Sequence, residues 1–269
     1  MNAEFKNRIP ELDIARGIAV FLMIIDHFFY DLWGLMPDIF PLFASTATFE
    51  IAHRYWVWDV RIYIRYAVLA VFMLLTGVCC TLSRSNLKRG LKLMGVALLL
   101  TLATYLIGVI TDNPDFTITF GVLHCISLAL ILTGLLEKFI KSRWFFLILG
   151  SVLLVVGIIC NRNTHFMSYG SNNIIVLLLS QIVGICECGS DSFSFLLYGA
   201  QIFIGVFLGK QFYSDKKSIF KNPKYPSSVL GRVVCFVGRS SLLVYFAHQI
   251  IIPIFVSAIL LICGYKMQI

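Results

Sequence analysis

The stretch ELDIARGIAVFLMIIDHFFYD, residues 11–31, combines the apolar content of a membrane-spanning helix with several ionisable side chains. A span needs roughly 20 apolar residues to cross about 30 Å of hydrocarbon. Ionisable residues at such depth are costly, and by default they mark a functional site or a pathway. This one segment therefore predicts a membrane protein and indicates where its chemistry lies.

The composition of the whole chain agrees with a membrane protein. Of its 269 residues, 59% are hydrophobic and 13% are charged, and the mean hydropathy is +0.87. A soluble domain is roughly 45–50% apolar and about 25% charged. We therefore expect an all-α, polytopic transmembrane helical bundle in a lipid bilayer, with residues 1–269 forming a single domain.

The positions of the apolar runs and of the basic loops predict the topology. Basic loops alternate with loops poor in Lys and Arg, and this pattern places the N-terminal tail, residues 1–13, in the cytosol. The net charge of +8 is therefore interpreted as a topology signal, and we expect no nucleic-acid partner. Residues 173–186 are apolar but short, so we expect them to be re-entrant or interfacial. The predicted spans are 14–36, 62–83, 91–111, 118–137, 144–160, 194–212 and 240–263.

A polar stripe follows the first predicted span. Arg16 and His27 are eleven residues apart, about 1100° of helical rotation, so they share one face. Asp13 precedes Arg16 by three residues and Asp31 follows His27 by four, both neighbour spacings. We expect His27 to be a general base whose ring Asp31 orients. The alternative is that His27 and Asp31 form a structural hydrogen-bonded pair.

Polar residues also lie near the outer ends of other spans. Asp26 points about 100° away from His27, and we expect it to pair with Arg61 or Arg65. Those two arginines are either snorkelling side chains or donors to a substrate carbonyl or phosphate. His124, at the start of the fourth span, either lines the site or is a satisfied core residue.

Two further histidines are candidates. Tyr245 and His248 share a face of the last span, where His248 either supports the base or relays a proton. His53 lies in the amphipathic outer segment 37–61, which is either an interfacial aromatic belt or a loop over the site. It is either a surface residue or in contact with the acceptor.

The eight cysteines do not indicate a metal site. Most lie inside apolar runs, and Cys186-x-Cys188 is the only pair at a loop. One such pair without a second pair or nearby histidines is a weak zinc signal, so we expect no metal.

Four stretches in order resemble the bacterial relatives of the heparan-α-glucosaminide N-acetyltransferase catalytic domain. They are RIPELDIARGIAVFLMIIDHFFYD (8–31), LLTGVCCTLSRSNLKRGLKL (74–93), FGVLHCISL (120–128) and GRSSLLVYFAHQ (238–249). The resemblance implies an all-helical membrane enzyme that passes acetyl groups from cytosolic acetyl-CoA to a sugar or glycan across the membrane. It also implies a bacterial plasma membrane.

The resemblance also assigns residues. Wider relatives O-acylate surface polysaccharides, and their Arg-x10-His pair falls on Arg16 and His27. The basic loop with Arg84, Lys88 and Arg89 then lies beside the phosphates of the coenzyme, together with Arg16 and its neighbour Asp13. The animal lysosomal enzyme has asparagine at the position of His27, and its active histidine follows in the outer loop. The nearest match here is His53, the alternative base.

The leading hypothesis is therefore an acetyl-CoA-dependent transmembrane acetyltransferase with His27 as general base or acetyl carrier. The alternative is a proton-coupled small-molecule transporter, in which buried His and Asp groups relay protons. The sequence leaves open the acceptor, the choice between N- and O-acetylation, and the oligomeric state, a homodimer included.

Overall fold

The computed structural model of the chain describes residues 9–113, 116–162, 174–186, 191–220, 226 and 228–267. Most of the predicted cytosolic tail lies outside these residues. Within the described ranges every regular element is helical, as the composition predicts. Two compact units are present: Met1–Phe72 with Phe220–Ile269, and Met73–Ile219.

Eleven α-helices and three tighter or wider turns account for the described regular structure. In chain order they are α1 (Pro10–Tyr30), a π-helical turn (Asp31–Leu35), α2 (Met36–Ile39), a 3-10 turn (Pro41–Ser45), α3 (Ala47–Trp56), α4 (Asp59–Leu82), α5 (Asn86–Ile110), α6 (Val122–Phe139), α7 (Arg143–Arg162), α8 (Ile174–Val183), a second π-helical turn (Phe195–Gly199), α9 (Ala200–Phe212), α10 (Val229–Arg239) and α11 (Ser241–Ile262).

Local sequence explains both ends of α1. Pro10 occupies the first turn, where its missing N–H costs no helical hydrogen bond, and Glu11 and Asp13 complement the positive end of the helix dipole. At the other end the helix widens into the π-helical turn, Asp31–Leu35, shortly before Pro37. Proline cannot donate to the carbonyl four residues earlier, so the regular α-helical hydrogen bonding is interrupted between α1 and α2.

Six helices of the described residues are long and apolar enough to cross a membrane. They are Asp59–Leu82, Asn86–Ile110, Val122–Phe139, Arg143–Asn161, Phe195–Phe212 and Ser241–Ile262. Each overlaps one predicted span, and the ends differ by at most five residues. The first predicted span, 14–36, is not among them, because four charged residues lie along α1: Glu11, Asp13, Arg16 and Asp26. Its α-helical part also ends at Tyr30, earlier than predicted.

The segment predicted to be re-entrant or interfacial forms a short helix. Helix α8 has ten residues, which is about 15 Å of length and half of the hydrocarbon thickness. Gly184 ends it with a φ of 87°, in the left-handed region that favours glycine. Its N–H donates to the carbonyl of Ser180 at 2.9 Å.

In the first unit, α1 and α10 pack backbone against backbone. A side chain at Gly17 would meet the carbonyl oxygen of Val234, and one at Gly238 would meet that of Asp13. These pairs run in opposite directions along the two helices, so α10 lies antiparallel to α1. Small residues allow such close approach between membrane helices.

A hydrophobic cluster fixes the other end of the first unit. It joins the π-helical turn, α2, the 3-10 turn, α3 and the far half of α11. Its buried members are Leu32, Met36, Phe40, Phe43, Ala52, Val256 and Leu260. The cluster holds the chain that follows α1 against α11, and thereby fixes α1 and α11 side by side.

The second unit uses the same close packing. Gly205 and Gly209 of α9 are four residues apart and lie against α4, where side chains would meet the carbonyls of Leu74 and Val78. This is the small-xxx-small pattern of membrane helix pairs. Gly90 and Gly134 bring α5 and α6 together in the same way.

Candidate functional site

His27 is held on α1 by a carbonyl of its own helix. Its Nδ1 lies 2.9 Å from the carbonyl oxygen of Met23, one turn earlier. Because a carbonyl only accepts, Nδ1 carries the hydrogen and donates it. In the neutral ring Nε2 is then the acceptor, which is the form that a general base needs.

His248 on α11 lies against His27 and repeats its arrangement. The ring centroids are 5.0 Å apart in an edge-to-face geometry, with 61° between the ring planes. Nδ1 of His248 donates to the carbonyl of Val244 at 3.1 Å. Its Nε2 is buried and has no hydrogen-bond partner among the described residues. Tyr245 packs against the same ring, as the shared face predicts, with centroids 5.8 Å apart.

Asp26 forms an ion pair with Arg61, one of its two expected partners. Arg61 donates through Nε to Oδ1 at 2.7 Å and through Nη2 to Oδ2 at 3.1 Å, a bidentate geometry. The guanidinium carbon also lies 3.5 Å from the ring centroid of Trp56, and only 5% of Arg61 is exposed. This contact makes Arg61 a partner of Asp26, not a snorkelling side chain.

Tyr55 completes this pair from α3. Its hydroxyl donates to Oδ1 of Asp26 at 3.1 Å. Burial, and then the neighbouring Asp26 carboxylate, raise the pKa of Tyr55 above its ordinary value. The hydroxyl therefore keeps its proton and remains a donor. Its ring stacks on Phe29 at 4.2 Å, so α3 is fixed against α1.

Asp31 does not orient His27 as predicted. The carboxyl is buried at the start of the π-helical turn, and no hydrogen bond joins it to His27 in the described part of the chain. A backbone carbonyl four residues earlier is already within reach of Nδ1, so Met23 takes this role. Arg65 is exposed and, like Asp26, close enough to His27 to interact electrostatically.

Arg16 lies at the corner between α10 and α11. Its Nη1 donates to the carbonyl of Gly238 at 2.9 Å and is 3.7 Å from Oδ1 of Asp13. The carbonyls at the end of a helix carry partial negative charge, so a guanidinium is favourable there. The predicted stripe neighbours Asp13 and Arg16 thus meet, and they also fix the end of α10.

The basic loop belongs to the second unit. Ser85 caps α5, and the loop's side chains Arg84, Lys88 and Arg89 are exposed. Arg89 makes a long contact, 3.5 Å, from Nη1 to the carbonyl of Cys79. Exposed cations of this kind are available to an anionic ligand.

Both ring nitrogens of His124 have hydrogen-bond partners. Nδ1 accepts the backbone N–H of Gly121 at 3.3 Å, so the hydrogen is on Nε2, which lies 3.1 Å from the hydroxyl of Thr101. That hydroxyl donates to the carbonyl of Ile118 at 2.8 Å. Both ring nitrogens are used at the start of α6, and this geometry favours the core interpretation of His124 over site lining.

His53 lies away from these contacts. It is exposed on α3, and its ring stacks beside Phe49 with centroids 6.2 Å apart. The structure thus joins His27, His248 and Tyr245 in one group and Asp26 and Arg61 in another, while His53 stays on the surface.

One polar cluster in the second unit is not predicted from the sequence. The amide nitrogen of Asn86 donates to the carbonyl of Cys80 at 3.1 Å and to Oε2 of Glu137 at 2.9 Å. Lys210 pairs with the other carboxylate oxygen of Glu137 at 3.2 Å. Asn86, Glu137 and Lys210 lie 51 to 124 positions apart. The sequence signal was only that two of them, Glu137 and Lys210, are charged residues near the ends of apolar runs.

Metal-ligating residues do not converge in the described ranges, where no three His, Cys, Asp or Glu side chains form a group. Cys186 is disulfide-bonded, while Cys188 lies outside the described residues. Six other described cysteines carry reduced thiols: Cys79, Cys80, Cys125, Cys160, Cys235 and Cys263.

The fold and the site together define a multi-pass membrane protein with buried, paired ionisable groups on its first and last helices. The profile of the family described as "Heparan-alpha-glucosaminide N-acetyltransferase, catalytic" matches residues 8–250. The chain belongs to this family, as the four sequence stretches indicated, and is thus of the transmembrane acetyltransferase type. No curated protein and no solved structure matches it.

Removing the carboxylate of Asp26 is expected to destabilise the first unit. Asp26→Asn leaves the guanidinium of Arg61 buried without its counter-charge. We expect the free energy of unfolding in detergent to fall by about 2–3 kcal/mol, below the range for fully buried pairs because 19% of the Asp26 side chain is exposed.

Asp38→Asn, at an exposed carboxylate, is the matched control and is expected to leave stability unchanged. The double variant Asp26→Leu/Arg61→Met removes both charges and is expected to cost less than Asp26→Asn alone. Equal unfolding midpoints for Asp26→Asn and Asp38→Asn contradict the structural importance of the pair.

Proposed function

We propose that this protein transfers an acetyl group from cytosolic acetyl-CoA to a sugar or glycan acceptor on the outer side of a bacterial plasma membrane. Membership of an acetyltransferase family favours transfer over the alternative of proton-coupled transport. The observation that carries the proposal is the hydrogen bond from Nδ1 of His27 to Met23, because it leaves Nε2 as a base inside a membrane protein.

In this proposal Nε2 of His27 removes the proton from the amine or hydroxyl of the acceptor as that group attacks the thioester carbonyl. The coenzyme sulfur leaves with the electron pair of the broken C–S bond. A route in which His27 first carries the acetyl group uses the same nitrogen. Arg65, an exposed cation one helical turn after Arg61 on α4, is suited to stabilise the developing charge on the carbonyl oxygen.

The donor end of the proposal rests on basic residues. Arg84, Lys88 and Arg89 form an exposed cationic loop that suits the phosphates of coenzyme A. We also propose that Arg16 of α1, whose position is fixed by its bond to Gly238, binds the coenzyme.

A transfer assay with methyl α-glucosaminide as acceptor and radiolabelled acetyl-CoA as donor tests the role of His27. General-base catalysis contributes about 10²–10⁴-fold, so we expect His27→Ala to lose at least that factor in kcat while keeping its unfolding midpoint. His53→Ala, at the surface, is expected to transfer at nearly the wild-type rate. Loss of transfer in His53→Ala with normal turnover in His27→Ala would assign the base to His53.

Binding of acetyl-CoA tests the basic loop separately. At about 100 times its Kd a ligand adds roughly 2.7 kcal/mol to the native state, which thermal unfolding detects. We expect Arg84→Gln/Lys88→Gln/Arg89→Gln to weaken acetyl-CoA binding by about tenfold or more, since charge pairing with phosphates is lost.

The triple variant Lys138→Gln/Lys216→Gln/Lys217→Gln removes the same charge from exposed positions of other basic loops and serves as the control. Equal affinity of the two triple variants for acetyl-CoA would show that net charge, and not this loop, sets the binding.

A further inference from the structure

Nε2 of His248 is a buried hydrogen-bond acceptor without a donor in the described part of the chain. Only 6% of the residue is exposed, and Nε2 has no hydrogen-bond partner among the described residues. Leaving a buried polar atom unpaired is destabilising, so such an atom in a folded protein calls for an explanation. Its neighbour is the ring of the proposed base.

The two imidazoles make the same hydrogen bond through Nδ1, and this prevents a direct hydrogen bond between them when both are neutral. In each, Nδ1 donates to the carbonyl four residues earlier, Met23 for His27 and Val244 for His248. Both Nε2 atoms are therefore acceptors, and two acceptors do not bond without a shared hydrogen. One added proton converts the pair into a donor and an acceptor.

The packing of the first unit holds the two rings at this distance. The corner between α10 and α11 lies against α1 through Gly238 and Gly17, and Arg16 donates to the carbonyl of Gly238. His248 follows this corner by ten residues on α11. At the far end, the hydrophobic cluster again joins α11 to the chain that follows α1. The α10–α11 corner and the hydrophobic cluster thus fix the two rings in contact.

We propose that His248 is the proton-relay partner of His27, so that the catalytic base is a pair of imidazoles and not a single histidine with a carboxylate. The proposal rests on the proposed function. The N–H or O–H bond of the acceptor breaks, and an N–H bond forms at Nε2 of His27. The imidazolium then donates to Nε2 of His248, which shares or takes the proton.

The coenzyme finally takes up both the electron pair of the broken bond and the proton. As the acceptor nitrogen or oxygen bonds to the acetyl carbon, the C–S bond breaks and its electron pair stays on sulfur. The proton held by the two rings finally neutralises the thiolate and yields the free thiol of coenzyme A. Sharing one positive charge between two rings reduces the cost of forming that charge in apolar surroundings.

The test uses His248→Gln, because a glutamine amide can still accept a hydrogen bond near the position of Nε2 but cannot take up a proton. We expect kcat for transfer to methyl α-glucosaminide to fall by about 10²-fold or more, with the KM for acetyl-CoA and its thermal stabilisation unchanged. We expect His248→Ala to lose the same activity and to recover part of it when imidazole is added.

Gln249→Ala changes the next, exposed residue of α11 and is expected to leave kcat unchanged. Transfer by His248→Gln within a few-fold of wild type would show that His248 only packs or accepts a hydrogen bond, and would overturn the relay. Loss without imidazole rescue in a folded His248→Ala would do the same. If the wild type transfers no acetyl group at all, the proposed function itself fails.

Discussion

An ionisable side chain in an apolar helix must find a partner or remain neutral, and the first unit of this protein is organised around that constraint. Asp26 is held by Arg61 and Tyr55, and Arg16 by Asp13 and the end of α10. The two histidines each donate one ring hydrogen to a carbonyl of their own helix. Because these partners come from α3, α4, α10 and α11, the polar stripe of α1 also determines which helices surround it.

The sequence predicted what depends on composition and on spacing within one helix. Composition sufficed for an all-helical membrane protein, and the rotation between Asp26 and His27 placed these two residues on different faces, where Asp26 meets Arg61. The same reasoning wrongly gave the orientation of His27 to Asp31. Spacing shows which side chains are neighbours on a helix, but not that the carbonyl of Met23 satisfies the ring first.

Contacts between distant segments lay beyond sequence reasoning. His27 and His248 are separated by 221 positions, and each could be read only as a lone histidine with a local neighbour. Their contact depends on the close approach of Gly17 and Gly238. A glycine within an apolar run does not show which other helix it will pack against. For the same reason His124 remained ambiguous until its bonds to Gly121 and Thr101 showed a structural role. The cluster of Asn86, Glu137 and Lys210 was missed because it joins three helix ends.

Transfer across a sealed bilayer is the central claim, and proteoliposomes test it most directly. Radiolabelled acetyl-CoA is enclosed with the reconstituted protein, and methyl α-glucosaminide is supplied only outside, since neither compound crosses the lipid unaided. The account predicts acetylated sugar in the outer solution for the wild type and none for His27→Ala. Product that forms only when donor and acceptor are on the same side of the membrane would contradict it.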